Sequence, residues 1–534
     1  MAKYEKSLVD IPDDKGVHVK SAGAKNERYV YKHVKYFRNN DGNPRNKSKA
    51  IGKYDPASGR MYPNGNYFEI YNIDATLPDI TVWDYGYTYL VMKVCRDTGL
   101  MPCLNQIFGK QTMDIIIMAS YIIREGGAMD AIDDWQERNY FPGINRLLTS
   151  QSTSKTFASI TTAQMNGFFK RWISKAFKSG SVCYDVTSIS SYSKGIPDVE
   201  YGYNRDGDDL YQFNLGMFCD EITKVPLYYS RYNGSLTDKT NLSYVLAGAH
   251  DLGIQRVKMV LDGGFWSEEC IKCLDYCCDA FTIGMPSSLN ESENTIKIYG
   301  NNIESYANEL AYPHIYCVEA HTVIYDVPGK ILLYYDSLNH VRQCEDLSCR
   351  IQNLKNELSV LKRFPKNKLK RYIPYFKITQ HEGGNGFDYA VDTIKVDKLR
   401  KHKGYFLLFT TDMESTPSDI LYYYRAKDAD EKLFSQIKVD MDSNRIRTHN
   451  GETTEGKAFV IFVACIIRSY MLGKLSSYLT DNSTSLKKVF NQLSNINIIS
   501  KNGGSGLRFT KALTKKQKNI LGAFGVSDDI LASI

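Results

Sequence analysis

The chain has no long hydrophobic run. Its longest apolar stretch, AFVIFVACII (Ala458–Ile467), stops at Arg468 and is too short to cross a bilayer on its own. It has no glycine loop followed by Lys and Ser/Thr, so nothing implies a bound ATP. The opening MAKYEKSLVDIPDDKG has no apolar core, and no secretory signal is expected from it. The twelve cysteines are irregularly spaced over 534 residues, with no dense framework, so free thiols in a reducing compartment are expected. Cys270, Cys273, Cys277 and Cys278 fall on one expected helix rather than in two separated pairs, which argues against a structural zinc site. The nine histidines show no paired helical spacing. His449, in RIRTHNGETTEGK, reads either as a loop cap or as a companion of Arg445 and Arg447 on a polyanion. Acids are missing between Lys501 and Lys518, where Lys501, Arg508, Lys511, Lys515, Lys516 and Lys518 form a basic tail. No internal repeat is visible.

What the chain does have is tyrosine, 39 of them, and a net charge of +7. The basic excess is compatible with a polyanionic partner. At this length, two to four domains are expected. Residues 1–80 read as a basic β module, since RYVYKHVKYF and KSKAIGKY are strand-like runs joined by the turn-rich RNNDGNPRN. Residues 81–178 carry apolar positions at spacings of three and four and are expected to be helical. Residues 179–286 change texture to β, β, β, α, β, α, β, which predicts a mixed sheet flanked by helices. Residues 287–403 interrupt that rhythm and read as a mostly β insertion with a helical arm. The core resumes over 404–480, and 481–534 is expected to be a basic helical tail.

Two carboxylates stand out by context. Asp185 lies inside the apolar strand VCYDVT, and Asp262 ends the apolar strand MVLDGG. A carboxylate on a buried strand is costly unless it is paired or binds a cation. Each alone reads more readily as a turn cap or a lysine partner. As a pair at neighbouring strand ends they could hold a hard divalent ion. A third acid is offered by YRAKDADEKLFSQIK. At about 100° per residue, Tyr424, Lys427, Glu431 and Lys438 share one helical stripe, opposite Leu433 and Ile437. A solvated face laced with charge pairs is the plainer reading of that stripe.

The same residues carry a resemblance. Tyr424, Lys427, Glu431 and Lys438 resemble the Tyr-x2-Arg-x3-Glu-x6-Lys signature of a group of bacterial insertion-sequence transposases of the DDE type. Lysine replaces the usual arginine at 427, and Arg425 stands close by, two residues before it. YDVTSISSYS with GYNRDGDDLYQFNLGMFCDEITKVPLYYSRYNGSLTDKTNL resembles the family's first catalytic block. VKMVLDGGFWSEE resembles the second, and GYFLLFTTD the strand before the third.

The resemblance implies a ribonuclease H-like core with a mixed five-stranded sheet, interrupted by an insertion. It implies strand cleavage at transposon ends and transfer into target DNA. Asp185, Asp262 and Glu431 would hold two Mg²⁺ ions, with Mn²⁺ able to substitute. Tyr424, Arg425, Lys427, Lys438, Trp266, Arg445 and Arg447 would contact DNA. Trp266 reads equally as core. The implied partners are double-stranded DNA, as terminal inverted repeats and as target, and a second copy of the chain on paired ends. The implied location is the bacterial cytoplasm, at the nucleoid. Two other readings stay open: a DNA-binding regulator without catalysis, and a nuclease that cuts without joining.

Overall fold

The structure is a computed structural model that describes residues 8–22, 27–39, 41–71, 80–255, 257–361, 363–364, 369–381, 386–501, 508–509 and 511–527. The chain is a mixed α/β protein divided into two compact units. The first comprises Met1–Trp83 with Asn497–Lys511, and the second Asp84–Ile496 with Ala512–Ser533.

In the first unit, alternating apolar and basic residues build an antiparallel sheet of β1 (Val17–Ala22), β2 (Glu27–Arg38), β3 (Pro44–Tyr54) and β4 (Met61–Pro63). The expected hairpin is present as β2 and β3, paired from Tyr29–Lys53 to Arg38–Pro44 with two register shifts. The module is larger than a hairpin. β1 and β4 flank it, and Val30, Ile51 and Met61 form its core. A further strand, β5 (Ile80–Asp84), closes the segment.

The second unit is organised by one eight-stranded sheet. Its strands are β6 (Ser181–Ser191), β7 (Tyr211–Asp220), β8 (Pro226–Asn233), β9 (Lys258–Leu261), β10 (Ala280–Met285), β11 (Ile315–Ile324), β12 (Val327–Asp336) and, after the small hairpin β13 (Phe376–Gln380) and β14 (Phe387–Val391), β15 (Tyr405–Thr410). The spatial order is β11-β12-β15-β10-β9-β6-β7-β8. β6, β7 and β8 form an antiparallel meander, while β9 and β10 run parallel to β6. The remaining three strands add antiparallel pairs beyond β10.

The sheet therefore exceeds the five strands expected from sequence. β11 and β12, assigned to an insertion, extend it through Leu332–Leu408 and the neighbouring pairs. The reason is compositional: KILLYY is buried on both faces and needs a neighbour on each edge, as a central strand does.

Six helices, from Gly86–Asp97 to Thr162–Ala176, belong to the same unit as the sheet. They are gathered around the helix Gly451–Asp481. Its Phe459 ring lies 5.2 Å from both Phe108 and Phe168, and Phe462 lies 5.3 Å from Tyr229 of β8. Burying each such ring is worth roughly 1.5–3 kcal/mol. By length and hydropathy this 31-residue helix would pass for a membrane span, but 78% of its most apolar window is buried inside the fold.

The C-terminal segment is not wholly helical. β16 (Asn497–Lys501) and β17 (Arg508–Phe509) join β5 in a three-stranded sheet of the first unit. NIISK carries two β-branched isoleucines, which favour a strand. Among the described residues, the helix Leu486–Leu493 precedes these strands and the helix Lys515–Gly522 follows them.

Candidate active site

The register of the two parallel strands brings the aspartates together. β6 and β9 pair as Ser181–Lys258, Val182–Met259 and Cys183–Val260. Two residues further on, the same register sets Asp185 beside Asp262. On the other side of β9, Leu261 pairs with Ile283 of β10, which places Gly284 level with Asp262.

Over these strand ends lies the helix Pro417–Ala426. Its start is fixed by a capping box between Thr416 and Asp419, with proline at the first turn. Ile420 and Leu421 pack on Leu332, Tyr334 and Leu408. Tyr424 follows on the same side. A Cβ added to Gly284 would stand 2.7 Å from the Tyr424 hydroxyl and 3.0 Å from the Gly263 nitrogen, so this tyrosine approaches only because residue 284 has no side chain.

The stretch from Tyr424 to Lys438 is not the one regular helix expected. It pauses at Lys427, resumes over Asp428–Ser435, and widens into a π turn over Gln436–Asp440. The wider turn coincides with a tertiary contact. Arg468, buried in the core helix, donates to Gln436 Oε1 at 3.2 Å and pairs with Asp440. Such turns recur at functional sites.

Lys427 is buried, and its ammonium lies 3.5 Å from Asp262 Oδ1. Asp262 is itself half exposed. Asp185 accepts a hydrogen bond from the Val186 N–H at 2.8 Å. Burial raises the Asp185 carboxyl pKa above the ordinary value, Lys427 and Arg205 pull it down, and the nearby Asp262 pushes it up. Arg205 reaches in from the loop before β7, donating to Ser188 Oγ at 3.2 Å and pairing with Asp238. Two acids thus share a partly enclosed strand end with a lysine and an arginine close by.

A carboxyl raised by burial binds more protons folded than unfolded. Its contribution to stability is fullest at low pH and falls as pH rises through its ordinary value of 3.8 towards the raised one. Asp185→Asn removes that loss. The stability of the variant relative to wild type should therefore grow with pH across the carboxylate range and then level off. Urea titrations between about pH 4 and 8 read this directly, and a difference that shrinks with rising pH would contradict it.

The other expected site residues divide. Lys438 pairs with Asp206 at 2.6 Å, on the same loop as Arg205. The Glu431 backbone is helical, but its side chain lies outside the described residues. Arg425 turns away from the aspartates, towards Asp336 at 3.5 Å and over the Tyr312 ring. Trp266 is 6% exposed and packs near Phe409 and Tyr325, a core position rather than an open stacking face. Among the described residues, its indole nitrogen has no hydrogen-bond partner.

Arg445 stacks over Tyr192 at 4.8 Å, next to Ser190 at the end of β6. Arg447 binds Asp442 at 2.8 Å. Among the described residues, no three His, Cys, Asp or Glu side chains gather as a metal cluster, and the four cysteines around 270–278 form none.

Sequence reasoning did not single out Arg205 and Asp206. The signal was present in GYNRDGDD, inside a block already matched as a whole. It also passed over Lys457, a buried cation near the start of the helix Gly451–Asp481.

No family model matches the chain, and no curated protein matches it. Among solved structures it is similar to a piggyBac transposase in a synaptic complex with hairpin DNA. That likeness has 11% identity and a TM-score of 0.36, over 76% of this chain and 77% of the other. A likeness this loose decides neither fold family nor function.

Proposed function

We propose that the protein is a metal-dependent DNA transposase of the DDE type, acting on transposon ends and target DNA as a homodimer. The observation that carries this reading is the strand register that sets Asp185 beside Asp262, with Lys427 of the signature stretch 3.5 Å from Asp262. The run β8-β7-β6-β9-β10, a meander followed by two parallel strands, supports a ribonuclease H-like core.

The residues present fit hard divalent cations. The pair offers carboxylate oxygens, and the raised pKa of Asp185 reflects negative charge held in a poorly solvated place. Asp185, Asp262 and Glu431 would hold two Mg²⁺ or Mn²⁺ ions. Such ions, when bound, activate water and stabilise the leaving oxygen of a phosphodiester.

The chain's own residues supply positioning and neutralisation. Lys427 lies beside Asp262 and balances its charge in the DNA-free state, and with cations bound there it would be free to grip a phosphate beside the scissile bond. Lys438 exchanges Asp206 for a second phosphate. Tyr424, held against Gly284, donates to a phosphate oxygen or stacks on a displaced base.

The test is an assay with duplex DNA carrying the element's ends, a target plasmid and Mg²⁺. Cut ends joined covalently to target are the expected products. Cut ends without joining would mark a nuclease, and no cutting at all would mark a DNA-binding regulator.

A further inference from the structure

Lys457 is 3% exposed, yet among the described residues its ammonium has no hydrogen-bond or ion-pair partner. It occupies the second turn of Gly451–Asp481. Helical side chains lean towards the N-terminus, so it points to the start of that helix. There it lines a cleft of about 360 Å³ with Arg447, His449, Ser150 and Ser154, while Asp130 supplies an acid.

Two helices begin at this cleft, Gly451–Asp481 behind its Asn450 cap and Ser150–Ser159 behind Thr149. Both direct the positive end of their dipole towards it. Arg447 is already engaged, donating to the Asp442 carbonyl at 2.6 Å and to its carboxylate at 2.8 Å. Lys457 is the charge left unmatched. Burial, with Arg447 beside it, lowers its pKa to about 8 against the opposing pull of Asp442.

The cleft is placed in relation to the aspartates by β6. The Ser190 N–H donates to Asn444 at 3.0 Å, and Ile446 returns the bond at 3.2 Å, so the loop leading to the cleft is tied to the far end of that strand. Ser190 lies five residues beyond Asp185 on β6, about 17 Å at ~3.3 Å per residue.

We propose that this cleft is a second phosphate site, taking one phosphodiester of the DNA backbone away from the bond that is cut. Lys457 donates to its non-bridging oxygens, with the two helix starts as support. The assignment rests on the reading of the protein as a DNA-processing enzyme.

The experiment is fluorescence anisotropy of the full chain with a labelled duplex over a range of salt, for wild type, Lys457→Met and Lys457→Arg. Methionine is expected to weaken binding about tenfold and to reduce the slope of log affinity against log salt by ~0.9, while arginine retains both. Thermal shifts with inorganic phosphate run in parallel.

If wild type binds DNA and Lys457→Met matches it in affinity and slope, the proposal is overturned while the enzyme reading stands. If phosphate raises the Tm of wild type but not of Lys457→Met, with DNA affinity unchanged, the cleft takes a free anion and the DNA assignment is overturned. If wild type binds no DNA, the enzyme reading itself fails. Should Lys457→Met not fold, the arginine variant decides, since loss of DNA affinity in a folded, charge-retaining variant contradicts a simple phosphate contact.

Discussion

Asp185→Asn is expected to lower the rate of end cleavage by on the order of 10³-fold, the scale seen when one group that stabilises transition-state charge is lost. The fold should survive. Asp185 lies on β6 with its carboxylate in a poorly solvated place, and burial raises its pKa. An amide of the same shape avoids that desolvation, so the variant should melt no lower than wild type in metal-free buffer. DNA binding should also persist, because Lys427, Lys438 and Lys457 are untouched. This combination separates a catalytic role from a structural one. An essential turn or pairing aspartate would lose stability first and activity as a consequence. Wild-type cleavage by the variant would exclude Asp185 from the reaction.

Gly456→Ala is expected to destabilise the second unit by ~3 kcal/mol or more, at the upper end of overpacking costs. The helix Gly451–Asp481 crosses the end of Ser150–Ser159 so closely that an added Cβ would stand 2.0 Å from the Phe157 carbonyl oxygen and 2.6 Å from its carbon. These are backbone atoms, so no side chain can rotate aside. The helices must separate, and the packing of Phe459 against Phe108 and Phe168 opens with them. Urea unfolding followed by circular dichroism measures the loss. A midpoint within a few tenths of a molar of wild type would mean that the crossing yields to an added methyl without loss of packing. The same separation would widen the cleft around Lys457, so DNA affinity should fall in the variant even where it remains folded.

The placement of Asp185 and Asp262 at neighbouring strand ends is legible in the sequence because it rests on strong local signals. VCYDVT and MVLDGG are short apolar runs carrying one acid each, and a buried acid on a strand has few explanations. The β2–β3 hairpin is legible from its turn residues. What escapes is set by tertiary contacts.

The π turn at Gln436–Asp440 coincides with a contact to Arg468, some thirty residues away, and no helical periodicity announces it. The extension of the sheet by β11 and β12 depends on which edge is open, and periodicity is silent on that. Arg425 is only two residues from Lys427 in sequence yet faces Asp336, because two helical steps of about 100° each turn it to the other side of the helix. Lys457 looks like an interruption of an apolar face until the neighbouring helix start is seen to leave a cleft beside it.

The most direct test is Mn²⁺ binding followed by electron paramagnetic resonance on the DNA-free protein, comparing wild type with Asp185→Asn, Asp262→Asn and Glu431→Gln. Three acids remote in sequence that hold the same cations predict that each substitution weakens or abolishes the bound-manganese signal. A Glu431→Gln protein that binds manganese as wild type does, while the two aspartate variants do not, would remove the glutamate from the site and with it the DDE assignment.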